Sequence, residues 1–128
     1  MTKADVKTIT VDQICKDLKI ARSTFYDWRS KGRAPQCLKL LNGSLRVRRS
    51  AYHKWLFALE ETPTARVNWD EEKLTIEYIC DDLRINRSTF YDWRQKGCAP
   101  QCSKLPNSDL RVYLSDYERW LSRMEDAS

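Results

Sequence analysis

The sequence predicts a mainly α-helical protein with small β-hairpins, built twice in tandem. Three observations predict it: a gapless internal repeat, apolar residues at helical spacing, and a hairpin signal between short strand-like runs. A constant shift of 65 aligns Thr10–Glu60 with Thr75–Glu125, with about 30 of roughly 50 positions identical. The longest shared block, Arg22-Ser-Thr-Phe-Tyr-Asp-Trp-Arg29, returns unchanged as Arg87–Arg94. Ala34-Pro-Gln-Cys37 recurs as Ala99–Cys102, and Leu45-Arg-Val47 as Leu110–Val112. Two units are too few for a solenoid, so two similar domains are expected, 1–64 and 65–128.

In the first repeat, Thr10 is placed to cap a helix whose apolar positions are Val11, Ile14, Cys15 and Leu18. Gln13, three residues on, completes a capping box. After a turn holding Ile20, Ser23 offers a second N-cap, Phe25 and Trp28 follow three apart, and Gly32 closes the helix. Pro35 enforces extended chain. Lys39–Leu41 and Leu45–Arg48 flank Asn42-Gly43, a strong hairpin signal. Ser50 then caps a last helix carrying Tyr52, Trp55, Leu56 and Leu59.

The second repeat follows suit. Thr75 precedes Ile76, Ile79, Cys80 and Leu83; Ser88 starts the next helix and Gly97 ends it. Pro106-Asn-Ser-Asp109 replaces the Asn-Gly turn, and Ser115 caps a helix with Tyr117, Trp120 and Leu121. Each small core should close around a tryptophan pair, Trp28 with Trp55 and Trp93 with Trp120. Between the repeats, Thr62–Lys73 holds Pro63, Thr64 and the acidic run Asp70-Glu-Glu72. Its roughly 12 residues would span at most about 40 Å as a stretched linker.

Charge and cysteine content narrow the function. A net charge of +5 and a pI near 9.0 favour a polyanionic partner. Residues 1–64 carry 13 Lys/Arg against six Asp/Glu, or +7; residues 65–128 carry ten against 12, or −2. The odd count of five cysteines, the polar start Met1–Lys7 and the lack of a long apolar run predict a reduced, cytoplasmic, nucleoid-associated protein without a membrane span. Cys15 and Cys80 fall on apolar helix positions and read as core residues. Cys37, Cys98, Cys102 and His53 match no closed zinc pattern, so neither a metal nor a cofactor is expected. A single His and no nucleophile–base or paired-acid arrangement argue against an enzyme.

Two short helices joined by a tight turn form a helix-turn-helix, whose second helix enters the DNA major groove. Burying Phe25 and Trp28 turns Ser23, Tyr26, Asp27 and Ser30 outward, with Arg22 and Arg29 on one shoulder and Thr24 and Lys31 on the other. Basic shoulders around a small polar centre suit phosphate contacts flanking base contacts. The plainer alternative is a solvated helix face with ordinary charges.

The run Ile14–Arg29, then Lys31-Gly32, Leu45-Arg-Val-Arg48, Ser50 and Trp55-Leu56, resembles the winged helix-turn-helix domain of phage excisionases and the MerR superfamily. That resemblance covers both repeats and implies a two-helix reader, a Pro-containing loop, a β-hairpin wing and a closing helix. It implies a non-enzymatic protein for double-stranded DNA, an excisionase-like recombination factor or a small transcriptional regulator of a mobile element. By resemblance, Ser23, Thr24, Tyr26 and Arg29 would sit in the major groove, with Arg22 and Lys31 beside it. Asn42, Gly43, Arg46 and Arg48 would bring the wing to phosphates or the minor groove. In the second copy the corresponding set is Arg87, Ser88, Thr89, Tyr91, Arg94, Gln95, Lys96 and Arg111.

The copies differ where they would touch DNA. Arg48 becomes Tyr113, Arg49 becomes Leu114 and Leu41 becomes Pro106, while Ser30 becomes Gln95, able to make a bidentate contact with adenine. The apolar changes fit either a protein-binding surface on the second domain or drift. Asp27 and Asp92 either orient a neighbouring arginine, accept from cytosine, or stay clear of DNA. The alternative reading is a protein-interaction adaptor that binds DNA through its first domain alone. For two DNA-reading domains, the expected target is a pair of half-sites about one helical turn apart.

Overall fold

Thr10 starts the first helix through the expected capping box: its hydroxyl accepts from the Gln13 N–H at 3.0 Å, and the Thr10 N–H donates to Gln13 Oε1 at 2.8 Å. In the computed structural model, which describes residues 7–61, 66 and 68–125, this cap opens a pattern used twice. The first unit comprises β1 (Thr8–Thr10), α1 (Val11–Leu18), α2 (Arg22–Ser30), β2 (Cys37–Lys39), β3 (Leu45–Arg48) and α3 (Arg49–Leu59). The second repeats it as β4 (Lys73–Thr75), α4 (Ile76–Leu83), α5 (Arg87–Gln95), β5 (Ser103–Lys104), β6 (Leu110–Tyr113) and α6 (Leu114–Arg123). The described residues thus form six helices and two three-stranded antiparallel sheets.

The hairpins are not two-stranded as expected. The residues before the first helix of each unit add a strand, so the sheet orders are β1-β3-β2 and β4-β6-β5. Thr8 pairs with Arg48 and Thr10 with Arg46; Lys73 pairs with Tyr113 and Thr75 with Arg111. Three residues are too few to show an alternating pattern, which hid these strands in the sequence.

The turns also differ from expectation. Leu40 accepts from the Gly43 N–H and donates to Ser44 O, each at 2.8 Å, with Gly43 at φ +88°. That is a three-residue loop ending in a left-handed residue, not a two-residue Asn-Gly turn. In the second unit Ser108 takes the left-handed place, at φ +74°, where a side chain is strained.

Caps expected at Ser23, Ser88, Ser50 and Ser115 are absent, because each serine lies inside its helix. Ala21 stands at the α2 N-cap without a side-chain bond, Asn86 caps α5 by accepting from the Thr89 N–H at 2.9 Å, and Tyr113 precedes α6. Gly32 and Gly97 follow their helices at positive φ, as expected.

In the first core, Val11, Ile14, Leu18, Phe25, Trp28, Val47, Tyr52 and Leu56 are buried. The second gathers Leu74, Ile76, Ile79, Phe90, Leu110, Val112, Tyr117 and Trp120. Trp28 meets Trp55 at 6.0 Å between centroids and 41°; Trp93 meets Trp120 at 5.9 Å and 43°. The Trp55 indole donates to Arg33 O and that of Trp120 to Cys98 O, tying the last helix to the loop after the second.

The division between units falls at Leu59–Glu60, earlier than the expected 64/65. Glu60 bridges Ser103, and the Glu61 N–H donates to Cys102 O. The expected linker is therefore no free spacer where it is described; Pro63 and Thr64 lie outside the described residues. Arg66 binds Glu60 and Asp116, and its guanidinium lies 3.7 Å from the Tyr113 ring centroid. Trp69 meets the same ring edge-on at 5.9 Å. Buried Lys73 donates to Trp69 O and Glu71 O. Tyr113 is consequently buried, so the change from Arg48 is accounted for by this intramolecular cover, without a partner protein.

Two stability outcomes follow from this packing. Trp28→Ala removes a side chain only 2% exposed and should cost about 3–5 kcal/mol, read as a lost or strongly lowered thermal transition for the first unit. Arg66→Ala leaves two buried carboxylates without their shared cation and should cost the second unit about 3–5 kcal/mol in denaturant titration. An unchanged midpoint for either variant would contradict the corresponding assignment.

Candidate nucleic-acid interface

Helix α2 buries Phe25 and Trp28 completely or nearly so and leaves Arg22, Ser23, Tyr26, Asp27, Arg29, Ser30 and Lys31 exposed. Thr24 is half-buried at the edge of that face. The face is therefore the one the helical spacing predicted. Against it stands the β2–β3 hairpin, and a cleft of about 540 Å³ lies between them. Its lining includes Arg22, Tyr26 and Arg29 from the helix and Lys39, Gly43 and Arg46 from the hairpin. Asp12 is the one carboxylate in that lining. Four cations thus face one anion across an open groove, which favours a polyanion.

The cations are not equivalent. Arg22 Nη1 lies 2.7 Å from Asp12 Oδ1, and Lys31 Nζ lies 3.0 Å from Asp27 Oδ2. Arg29, Lys39 and Arg46 make no ion pair among the described residues. Arg46 is half-buried and donates to Leu45 O at 2.9 Å, which fixes its stem along β3. Arg48 and Asn42 are exposed, and Asn42 Oδ1 accepts from the Ser44 N–H at 3.0 Å, so its side chain braces the turn. Asp27 and Asp92 have the same partner in both copies, the lysine one turn on, Lys31 and Lys96 at 2.9 Å. Ser30 Oγ is turned back onto Asp27 O at 2.9 Å. Lys39 was missed by the sequence reading. Its signal was present: it is kept as Lys104, next to the hairpin turn.

The second unit presents the same helix face, with Ser88, Thr89, Arg87 and Arg94 held by neighbouring side chains. Ser88 Oγ and Thr89 Oγ1 both donate to Asn86 Oδ1, at 2.7 and 2.8 Å; the first unit has Ala21 at that place. Arg87 pairs with Glu77 at 3.2 Å, and Arg94 pairs with Glu61. Arg111, expected at the hairpin surface, is instead 6% exposed and donates to Leu110 O at 2.8 Å. Burial lowers the pKa of its guanidinium. Every residue of β6 is buried, whereas in β3 only Val47 is. Tyr91, Asp92, Arg94 and Gln95, with Ser88, line a hollow of about 490 Å³ on α5.

Among the described residues, no three His, Cys, Asp or Glu side chains are arranged to hold a metal ion, and no helix is long and apolar enough to cross a membrane. No protein-family model, curated protein or solved structure matches this chain.

The cysteines divide by exposure. Cys15, Cys80 and Cys102 are buried, Cys37 is half-buried and Cys98 is exposed. Burial raises the pKa of Cys15 and Cys80, and pushes the Cys102 thiol up from 9.0 to about 11. In the native protein a thiol reagent should label Cys98 first and Cys37 more slowly. Cys15, Cys80 and Cys102 should react only on unfolding. The raised Cys102 value adds stability that is complete below pH 9 and lost as the pH climbs through about 11. Rapid labelling of all five thiols in the folded chain would contradict the burial.

Proposed function

We propose that this protein binds double-stranded DNA through tandem winged helix-turn-helix units of the excisionase/MerR type, and that the first unit supplies most of the grip. The observation that carries this reading is the cleft between α2 and the β2–β3 hairpin, where Arg22, Arg29, Lys39 and Arg46 face a single Asp12. A major groove about 12 Å wide admits one helix, and α2 carries a compact polar face of the kind such docking needs. In this reading Ser23, Tyr26 and Arg29 meet the groove, while Arg46, Arg48 and the turn at Asn42-Gly43 reach phosphates or the minor groove. The role is that of a small recombination or transcription factor acting on a pair of half-sites about one helical turn apart.

The second unit fits a lesser share of DNA contact. Its half of the sequence has a net charge of −2, and among the described residues, unlike Arg29 and Arg46 of the first unit, Arg94 is ion-paired and Arg111 is buried. The same observation supports the adaptor alternative for this unit, with DNA held by the first.

Duplex binding measured across a salt series tests the proposal. Wild-type protein should bind with a log–log salt slope of several units, because each neutralised phosphate contributes about 0.9. Arg29→Ala and Arg46→Ala should each weaken binding several-fold and reduce that slope by about one. Salt-independent binding, or full affinity in the Arg29→Ala/Arg46→Ala double variant, would sink the reading.

A further inference from the structure

Arg29 and Arg94 occupy the same place in the two copies of the RSTFYDWR block, yet among the described residues only Arg94 is held by a carboxylate, that of Glu61. We propose that Glu61 is a specificity-determining residue of the second unit, occupying Arg94 as a DNA phosphate would and stripping non-specific backbone grip from α5. The inference rests on the DNA-binding reading above and goes beyond it by assigning a function to a residue outside both repeats.

Three features make Glu61 a fixed competitor and not a passing contact. Its backbone N–H donates to Cys102 O at 3.2 Å, and the neighbouring Glu60 bridges Ser103. Glu60 is itself clamped, because Arg66 Nε donates to its Oε1 at 2.6 Å while the same guanidinium binds Asp116 at 2.5 Å. The Arg94 side chain is 31% exposed, against an Arg29 that is exposed and without an ion pair among the described residues. A phosphate approaching α5 would therefore have to displace a carboxylate whose main chain is already pinned.

The consequence is chemical selectivity. Phosphate contacts supply the sequence-independent part of DNA affinity, whereas base edges supply discrimination. With Arg94 on Glu61, and the hydroxyls of Ser88 and Thr89 on Asn86, Gln95 and Tyr91 remain exposed on α5 for base contact. Gln95 can make the paired hydrogen bonds that adenine offers in the major groove.

The test uses the full chain and a random-sequence duplex about four helical turns long. Glu61→Gln keeps the shape and removes the charge, so it should tighten binding about two- to fivefold, the range expected for a partly exposed ion pair. It should also steepen the salt slope by about one phosphate contact. Arg94→Gln alone should change affinity by less than about twofold, and Glu61→Gln/Arg94→Gln should erase the gain. Thermal melts identify any variant that fails to fold; if Arg94→Gln does, Glu61→Gln and Glu61→Ala carry the test through affinity and slope. Unchanged affinity and slope in both Glu61 variants of a chain that binds DNA would overturn the proposal. So would a gain that survives in the double variant, or a loss in Arg94→Gln as large as in Arg29→Ala. Absence of duplex binding by the wild type itself would overturn the DNA reading, and this inference with it.

Discussion

The tilted tryptophan pair in each unit is the contact on which the rest depends. Trp28 on α2 and Trp55 on α3 meet at 41°, and Trp93 and Trp120 reproduce the arrangement within 2°. A domain this small has few large side chains to bury, so a pair of indoles, one of them buried in each unit, holds the last helix against the second. The indole N–H of the last helix also satisfies a backbone carbonyl in the loop leaving the second helix. Packing and hydrogen bonding therefore set the same rotation of α2 and α5. Once that rotation is fixed, Ser23, Tyr26 and Arg29 have only solvent, or a ligand, to face.

Upon that shared frame the two units carry different electrostatics. In the first, helix and hairpin leave a groove with cations on both walls. In the second, Arg87 and Arg94 are paired and Arg111 is buried, leaving Lys104 as the exposed equivalent of Lys39, and the outer side of β6 is covered by Arg66 and Trp69 over Tyr113. The cover explains why one position is Arg in one copy and Tyr in the other. An arginine there would face Arg66 and Lys73, whereas an aromatic ring accepts both, at 3.7 and 5.0 Å from its centroid. Duplication kept the core, and the segment before the second copy changed what its surface can do.

Much of this was legible in one sequence because it rests on local rules. Thr10 and Gln13 satisfy each other across three residues, and Gly32 and Gly97 supply left-handed backbone after a helix. The 100° spacing of Phe25 and Trp28 determined which face of α2 is exposed. The 65-residue repeat ensured that whatever one copy formed, the other would form as well. Of the residues that line the cleft, Arg22, Tyr26 and Arg29 were readable from that spacing, whereas Gly43 and Arg46 were expected there from the family resemblance.

Other features depended on partners distant in the chain. The strands β1 and β4 exist because β3 and β6 offer them a free edge, which three residues cannot announce by themselves. The serines that resemble caps are overruled because Ala21 and Asn86 stand where the chain leaves its turn. Most of all, the fate of each charge was undetermined: Arg94 and Arg29 sit in identical octapeptides, and only Glu61 separates them. The sequence by itself determined where each helix falls, though not always its first residue, and which face it buries, since both follow from spacing along a few turns. Only the tertiary structure decided which cations stay available, because ion pairing and burial depend on groups up to 50 residues apart, as Arg66 and Asp116 are.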